Sequence, residues 1–151
     1  MLINSKIFGE VEIADDKVVE FENGIIGFEA YKKYALIYDS ENDDSTIMWL
    51  QSADESSLAF PVINPFFIKQ DYNPLINDEL LESIGKFNDD EAVVLLIATV
   101  PQNIKNMTVN LEAPIIINAN NRKAVQVIVE NEDYAVRYAI YYILAAKKAG
   151  E

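Results

Sequence analysis

Ala92-Val93-Val94-Leu95-Leu96-Ile97-Ala98-Thr99-Val100 is an almost unbroken apolar run that stops at Pro101. A half-solvated strand alternates apolar with polar positions. A run like this one reads as a strand buried on both faces. Its neighbours are also strands. Upstream, Tyr34 to Tyr38, Thr46 to Gln51 and Leu58 to Ile63 are short β-branched or aromatic runs separated by Asp, Ser and Asn clusters, the pattern of adjacent antiparallel strands, and Asn64-Pro65 closes the group. Downstream come Met107 to Leu111, Ile115 to Asn118 and Ala124 to Val129, the last two joined through a hairpin turn at Asn120-Asn121.

At the N-terminus Ile7, Gly9, Val11 and Ile13 alternate with polar residues, Asp15-Asp16 supplies a turn, and Val19 and Phe21 continue the parity. This predicts a hairpin. Gly24 and Gly27 then break the pattern, as expected of a tight turn. Two helices interrupt the strands. Asn77 or Asp78 caps a short one near 78–84, with Leu80, Leu81 and Ile84 as its apolar stripe and Gly85 as its stop. Val136, Ile140, Ile143 and Leu144 share one side of a second, spanning about 133–148, which starts at Asp133 and closes on Lys147 and Lys148. Tyr134, Tyr138, Tyr141 and Tyr142 spread around that helix, so it packs on two sides or lies at an interface. The expected fold is mainly β: one domain over 1–151, about ten short strands curled into a small antiparallel barrel or sandwich, with the helices at the side.

The chain has no histidine and no cysteine, and its net charge is −13. The usual proton shuttle, the commonest metal ligand and the strongest nucleophile are therefore missing together, and function is expected to mean binding rather than catalysis. No nucleophile, base and orienting group can be named together, so no catalytic residue, cofactor or metal site is assigned. Local motifs agree. Asp39 to Leu50 has Asp44 and Leu50 where a calcium loop needs glycine and glutamate. Ser83-Ile84-Gly85-Lys86 lacks the companion motifs of penicillin-recognising enzymes. Gly24-Ile25-Ile26-Gly27 is ringed by Glu20, Glu22 and Glu29, where an RNA-clamping loop needs positive charge.

Charge is unevenly distributed. Residues 1–100 carry 20 acidic and 6 basic side chains, and residues 101–151 carry 5 and 6. Such a surface repels phosphate backbones and attracts basic proteins, so a protein partner is expected and nucleic acid is not. No apolar run is long enough to span a bilayer, and a cytoplasmic monomer is the expectation. Two other readings stay open on these residues alone: a carboxylate-dependent metal-binding enzyme and a structural acidic interaction domain.

Three blocks sharpen this picture. They are Phe21-Glu22-Asn23-Gly24-Ile25-Ile26-Gly27-Phe28-Glu29; Trp49-Leu50-Gln51-Ser52 with Ala59-Phe60-Pro61-Val62-Ile63-Asn64-Pro65; and Thr108-Val109-Asn110-Leu111-Glu112-Ala113-Pro114-Ile115-Ile116-Ile117-Asn118, completed by Arg122 and Gln126. In order and separation they resemble the flagellar assembly factor FliW family over residues 1–138. The sequence departs from that family at Ile26, where members commonly have proline, and in the tyrosine-rich tail after Tyr138.

The resemblance implies a small, mostly antiparallel, barrel-like protein without catalytic activity in the cytoplasm of a flagellated bacterium. Members bind newly made flagellin near its terminal helical regions and also bind the RNA-binding translational repressor CsrA. Flagellin occupancy would leave CsrA free to block flagellin mRNA, and export of flagellin would release the factor to relieve that block. Flagellin's amphipathic helices need an apolar groove, which the glycine loop and aromatic blocks would supply. The expected surface contacts are Phe28, Asn64, Pro65, Phe67, Tyr72 and Asn110, with Glu22 and Asp71 contributing charge. Phe60, Val62, Ile115 and Ile117 alternate as inward strand residues do and are expected in the core.

Overall fold

The computed structural model of the chain describes residues 1–38 and 46–149. Asp39, Glu41, Asp43 and Asp44, and with them most of the rejected calcium-loop segment, lie outside the described residues. Among the described residues there are eleven strands: β1 (Leu2–Ser5), β2 (Gly9–Glu12), β3 (Val18–Phe21), β4 (Lys33–Ile37), β5 (Ile47–Ser52), β6 (Ala59–Ile63), β7 (Ala92–Thr99), β8 (Thr108–Val109), β9 (Ile115–Asn118), β10 (Lys123–Gln126) and β11 (Tyr138–Ala139). One α-helix, α1 (Tyr141–Ala149), follows them.

Seven of these strands close on themselves. Antiparallel pairing runs from β3 through β4, β5, β6 and β7. It continues from β7 to β9 and from β9 to β10, and a parallel pairing of β10 with β3 shuts the ring. A closed ring leaves no free edge in the barrel wall. β7 is the junction: Ala92 to Leu95 pair with β9, Leu96 and Ile97 with β6, and Ala98 and Thr99 with β8, which carries β11 on its far side. The long apolar run is thus the strand on which the barrel both closes and branches.

Adjacent residues of the wall serve different cores, because successive side chains point to opposite faces. Phe21, Tyr34, Leu50, Val62, Leu95, Ile115, Ile117 and Ala124 come from all seven strands and fill the interior, with Phe60 packed against them. Ile63 and Leu96, one residue along, face outward into a second cluster with Tyr72, Met107, Val109, Leu111, Tyr134 and Ile140. Ile116 faces a third with Ile84 and Val127. Leu95 and Leu96 are both fully buried, which is why no alternation shows in β7.

Three expectations need correction. β2 pairs with β1, not with β3, and the turn between them is made by Ser5, whose Oγ accepts from the amides of Ile7 and Phe8 at 3.2 and 3.1 Å. The 78–84 segment is a 3-10 helix capped by Asn77, whose Oδ1 accepts from Glu79 N at 3.0 Å. Three residues per turn stack Leu81 over Ile84 and rotate Leu80 to solvent, so the apolar stripe has two members, not three. The terminal helix begins at Tyr141 instead of Asp133. Ahead of it Tyr138 and Ala139 pair with Val109 and Thr108, and Ile140 N donates to Met107 O at 3.1 Å, which holds the backbone extended.

Candidate partner-binding surface

The glycine loop between β3 and β4 is built by its own hydrogen bonds. Gly24 N donates to Phe21 O at 3.1 Å, Phe28 N to Ile25 O at 2.7 Å, and Gly27 N to the Glu29 carboxylate at 3.0 Å. That last contact holds the Glu29 carboxyl below its ordinary range. Ile25 is buried as the anchor, while Ile26 and Phe28 project outward. Phe28 rests edge-on against Phe60 with ring centroids 5.1 Å apart, so it stays exposed without being loose. The Ile26 amide donates to Gln126 Oε1 at 2.9 Å, and Gln126 Nε2 reaches Ala113 O at 3.3 Å, tying this loop to the third sequence block. A proline at position 26 would have no amide to give Gln126.

Glu22 is exposed at the end of β3 and shares a cleft of about 160 Å³ with Glu20, Ser83 and Lys123. Beyond Ser83, an open groove of about 850 Å³ has Leu81 and Phe87 among its lining residues, with Asp78, Glu82, Asp89 and Glu91 around them and Lys86 as the lining cation. Asn118 holds this part of the chain in place. Its buried Nδ2 donates to Ile84 O at 2.7 Å and Lys86 O at 3.2 Å, and Asn121 adds a second donor to Ile84 O at 2.9 Å. Acidic residues from two distant stretches of sequence therefore meet on one side of the barrel.

The remaining expected contacts lie outside the glycine loop, each in its own local setting. Asn64 caps a 3-10 turn, Pro65–Phe67, by accepting from Phe66 N at 2.9 Å, and both phenylalanines of that turn project outward. Asp71 is exposed and paired with Lys69 at 3.1 Å, which lowers the Asp71 carboxyl and raises the Lys69 amine. Asn110 is half-buried and caps its own turn, its Oδ1 accepting from Glu112 N at 2.9 Å.

Two residues named as surface contacts are not on the surface. Tyr72 is buried, stacked on Tyr134 at 5.1 Å, with its hydroxyl donating to Leu111 O at 2.9 Å; desolvation pushes that hydroxyl's pKa well up. Pro65 is buried as the first residue of its turn. Both shape the surface from beneath instead of forming it. Exposed apolar residues that were not among the expected contacts include Ile26, Phe66, Leu80 and Ile104.

Among the described residues no three carboxylates converge as a metal cluster, and no helix is long and apolar enough to cross a membrane. Closed wall, projecting apolar loops and an excess of carboxylates together define a small acidic β-barrel with exposed apolar loops. The FliW protein family model matches residues 2–140, and the chain belongs to that family. A flagellar assembly factor FliW of Lachnospira eligens is 47% identical over 146 residues, covering 95% of this chain and 97% of that protein. The flagellar assembly factor FliW of Thermotoga neapolitana is 41% identical over 140 residues, covering 92% of this chain and 93% of its own. A crystal structure of the flagellar assembly factor FliW superposes with a TM-score of 0.83 at 31% identity, covering 93% of this chain and 97% of that chain.

Proposed function

We propose that this chain is a cytoplasmic flagellar assembly factor that binds flagellin and, when flagellin is depleted, binds CsrA and relieves its repression of flagellin mRNA. Membership of the FliW family carries the reading, and the relatives at 47% and 41% identity are both named as flagellar assembly factors. The surface chemistry supports it from below. An RNA-binding repressor must be basic, and the carboxylates around Glu22 and the 78–91 groove would draw it in while repelling RNA. Flagellin's amphipathic helices would seek exposed apolar side chains, which Phe28, Phe66 and Phe67 provide. Asn64 caps the turn that carries Phe66 and Phe67, Pro65 and Tyr72 are buried beneath the surface, and Asp71 and Asn110 are the further polar contacts of this reading. Binding one partner removes the factor from the other, so the two equilibria are linked.

The test is a competition titration with purified components. Labelled CsrA is bound by the chain, flagellin monomers are added, and release of CsrA is followed by anisotropy. Stoichiometric release is expected. Failure of the chain to bind either protein, or persistent CsrA binding under saturating flagellin, defeats the switch.

A further inference from the structure

The FliW match ends at Ile140, and α1 begins at the next residue. α1 is a nine-residue helix, shorter than the roughly 12–15 residues at which an isolated helix becomes even marginal in water, so its helicity depends on what it lies against. It lies against the Ile104–Asn106 turn and the outward cluster that contains Met107, and it presses Ile143 and Leu144 onto them. Both remain only half-buried. Lys147 sits above the Phe67 ring, 5.9 Å from its centroid. Phe67 is still 44% exposed and Ile104 51% exposed with α1 in place, so α1 leaves part of this apolar surface uncovered. Ile140, fully buried and bonded to Met107 O, fixes the point from which α1 would swing while leaving the barrel intact.

We infer that α1 is an internal occupant of a helix-binding groove floored by Phe67, Ile104 and Met107, and that a partner's amphipathic helix binds there by displacing it. The seated segment states the chemistry of the ligand: two adjoining apolar side chains turned to the floor and a cation one turn further on, over an aromatic ring. This rests on the proposed function, which makes flagellin the source of that helix. α1 then sets the threshold for binding, because a partner meets a competent groove only in the fraction of molecules whose α1 is undocked.

The experiment titrates monomeric flagellin into the full chain, into the Ile143→Asn/Leu144→Asn variant that frees α1, and into Ile104→Asn, a half-exposed floor substitution. Freeing α1 is expected to tighten binding roughly tenfold, the factor for a helix docked about nine-tenths of the time, and Ile104→Asn, which loosens α1 as well as the partner helix, is expected to bind roughly tenfold more weakly than the freed variant. Hydrogen exchange on the unmodified chain gives an independent reading: when flagellin binds, the amides of α1 should exchange faster while those of 104–109 slow. Equal affinity of the freed variant and the unmodified chain, or greater protection of α1 on binding, overturns the displacement but leaves flagellin binding standing. No binding by any of the three defeats both.

Discussion

Gly24 and Gly27 show how little of a glycine's role is visible in the letter itself. Both have positive φ, 70° and 90°, a region that residues with a Cβ enter at a cost of about 1–2 kcal/mol. Their surroundings differ. A Cβ on Gly24 would stand 2.6 Å from Glu29 Cα, a backbone atom that cannot move aside, whereas a Cβ on Gly27 meets nothing within 4 Å. Gly27→Ala is therefore expected to lose only the conformational cost, about 1–2 kcal/mol, while Gly24→Ala loses that and must also push the loop apart. Urea unfolding of the two variants should rank Gly24→Ala as the more damaging by at least about 1 kcal/mol. The binding surface should follow the same order, since Phe28 hangs from this loop. Equal destabilisation would mean that the Glu29 backbone yields freely.

Among elements, the segment from Glu130 to Ile140 decides how the outer cluster is covered, and it was the hardest to read. Its tyrosines and apolar residues fit a helical period, yet tertiary hydrogen bonds to its backbone and side chains hold it in another conformation. Glu130 N donates to Leu75 O at 2.8 Å, Leu75 N to Asn131 Oδ1 at 2.7 Å, and Asn73 N to Tyr134 Oη at 2.7 Å. Intrinsic preference could not hold the helix against them, because tyrosine and the β-branched residues are weak helix formers. Such contacts join residues about sixty positions apart, and no local window of sequence contains both partners. β4, β5 and β6 were legible for the opposite reason: each is a short β-branched or aromatic run paired with its chain neighbour, so local pattern and final partner coincide. The same contrast holds at the surface. Phe28 and Phe67 were read correctly as exposed, whereas Tyr72 could not be, because its stacking partner Tyr134 lies in that distant segment. Tyr134→Phe keeps the stack and removes the acceptor for Asn73 N. It is expected to cost about 1–2 kcal/mol in urea unfolding and to speed exchange at the Asn73 amide, with strands of the barrel unaffected. Unchanged exchange at Asn73 would show that the hydroxyl is not what pins the segment.

Over the whole molecule, the fold sorts the charge imbalance of the sequence into two kinds of surface. Closure of β10 onto β3 brings Glu20 and Glu22 beside Lys123 and Ser83, next to the groove edged by Asp78, Glu82, Asp89 and Glu91. The surface around Phe67 and α1 instead exposes the apolar side chains of Phe66, Phe67 and Ile104, with Lys147 over the Phe67 ring. Two partners recognised by these surfaces should respond differently to salt. Raising the ionic strength from about 0.1 M to about 1 M shortens the screening length from about 10 Å to about 3 Å, which removes long-range attraction while leaving apolar burial nearly intact. Affinity for CsrA is therefore expected to fall by roughly tenfold or more across that range, chiefly through slower association, and affinity for flagellin by less than about threefold. Glu22→Lys should reproduce part of the CsrA effect at low salt and leave flagellin binding unchanged. Titration calorimetry and stopped-flow association over a salt series measure both. Parallel salt slopes for the two partners would mean that one surface serves them both, and the division between an acidic and an apolar face would have to be abandoned.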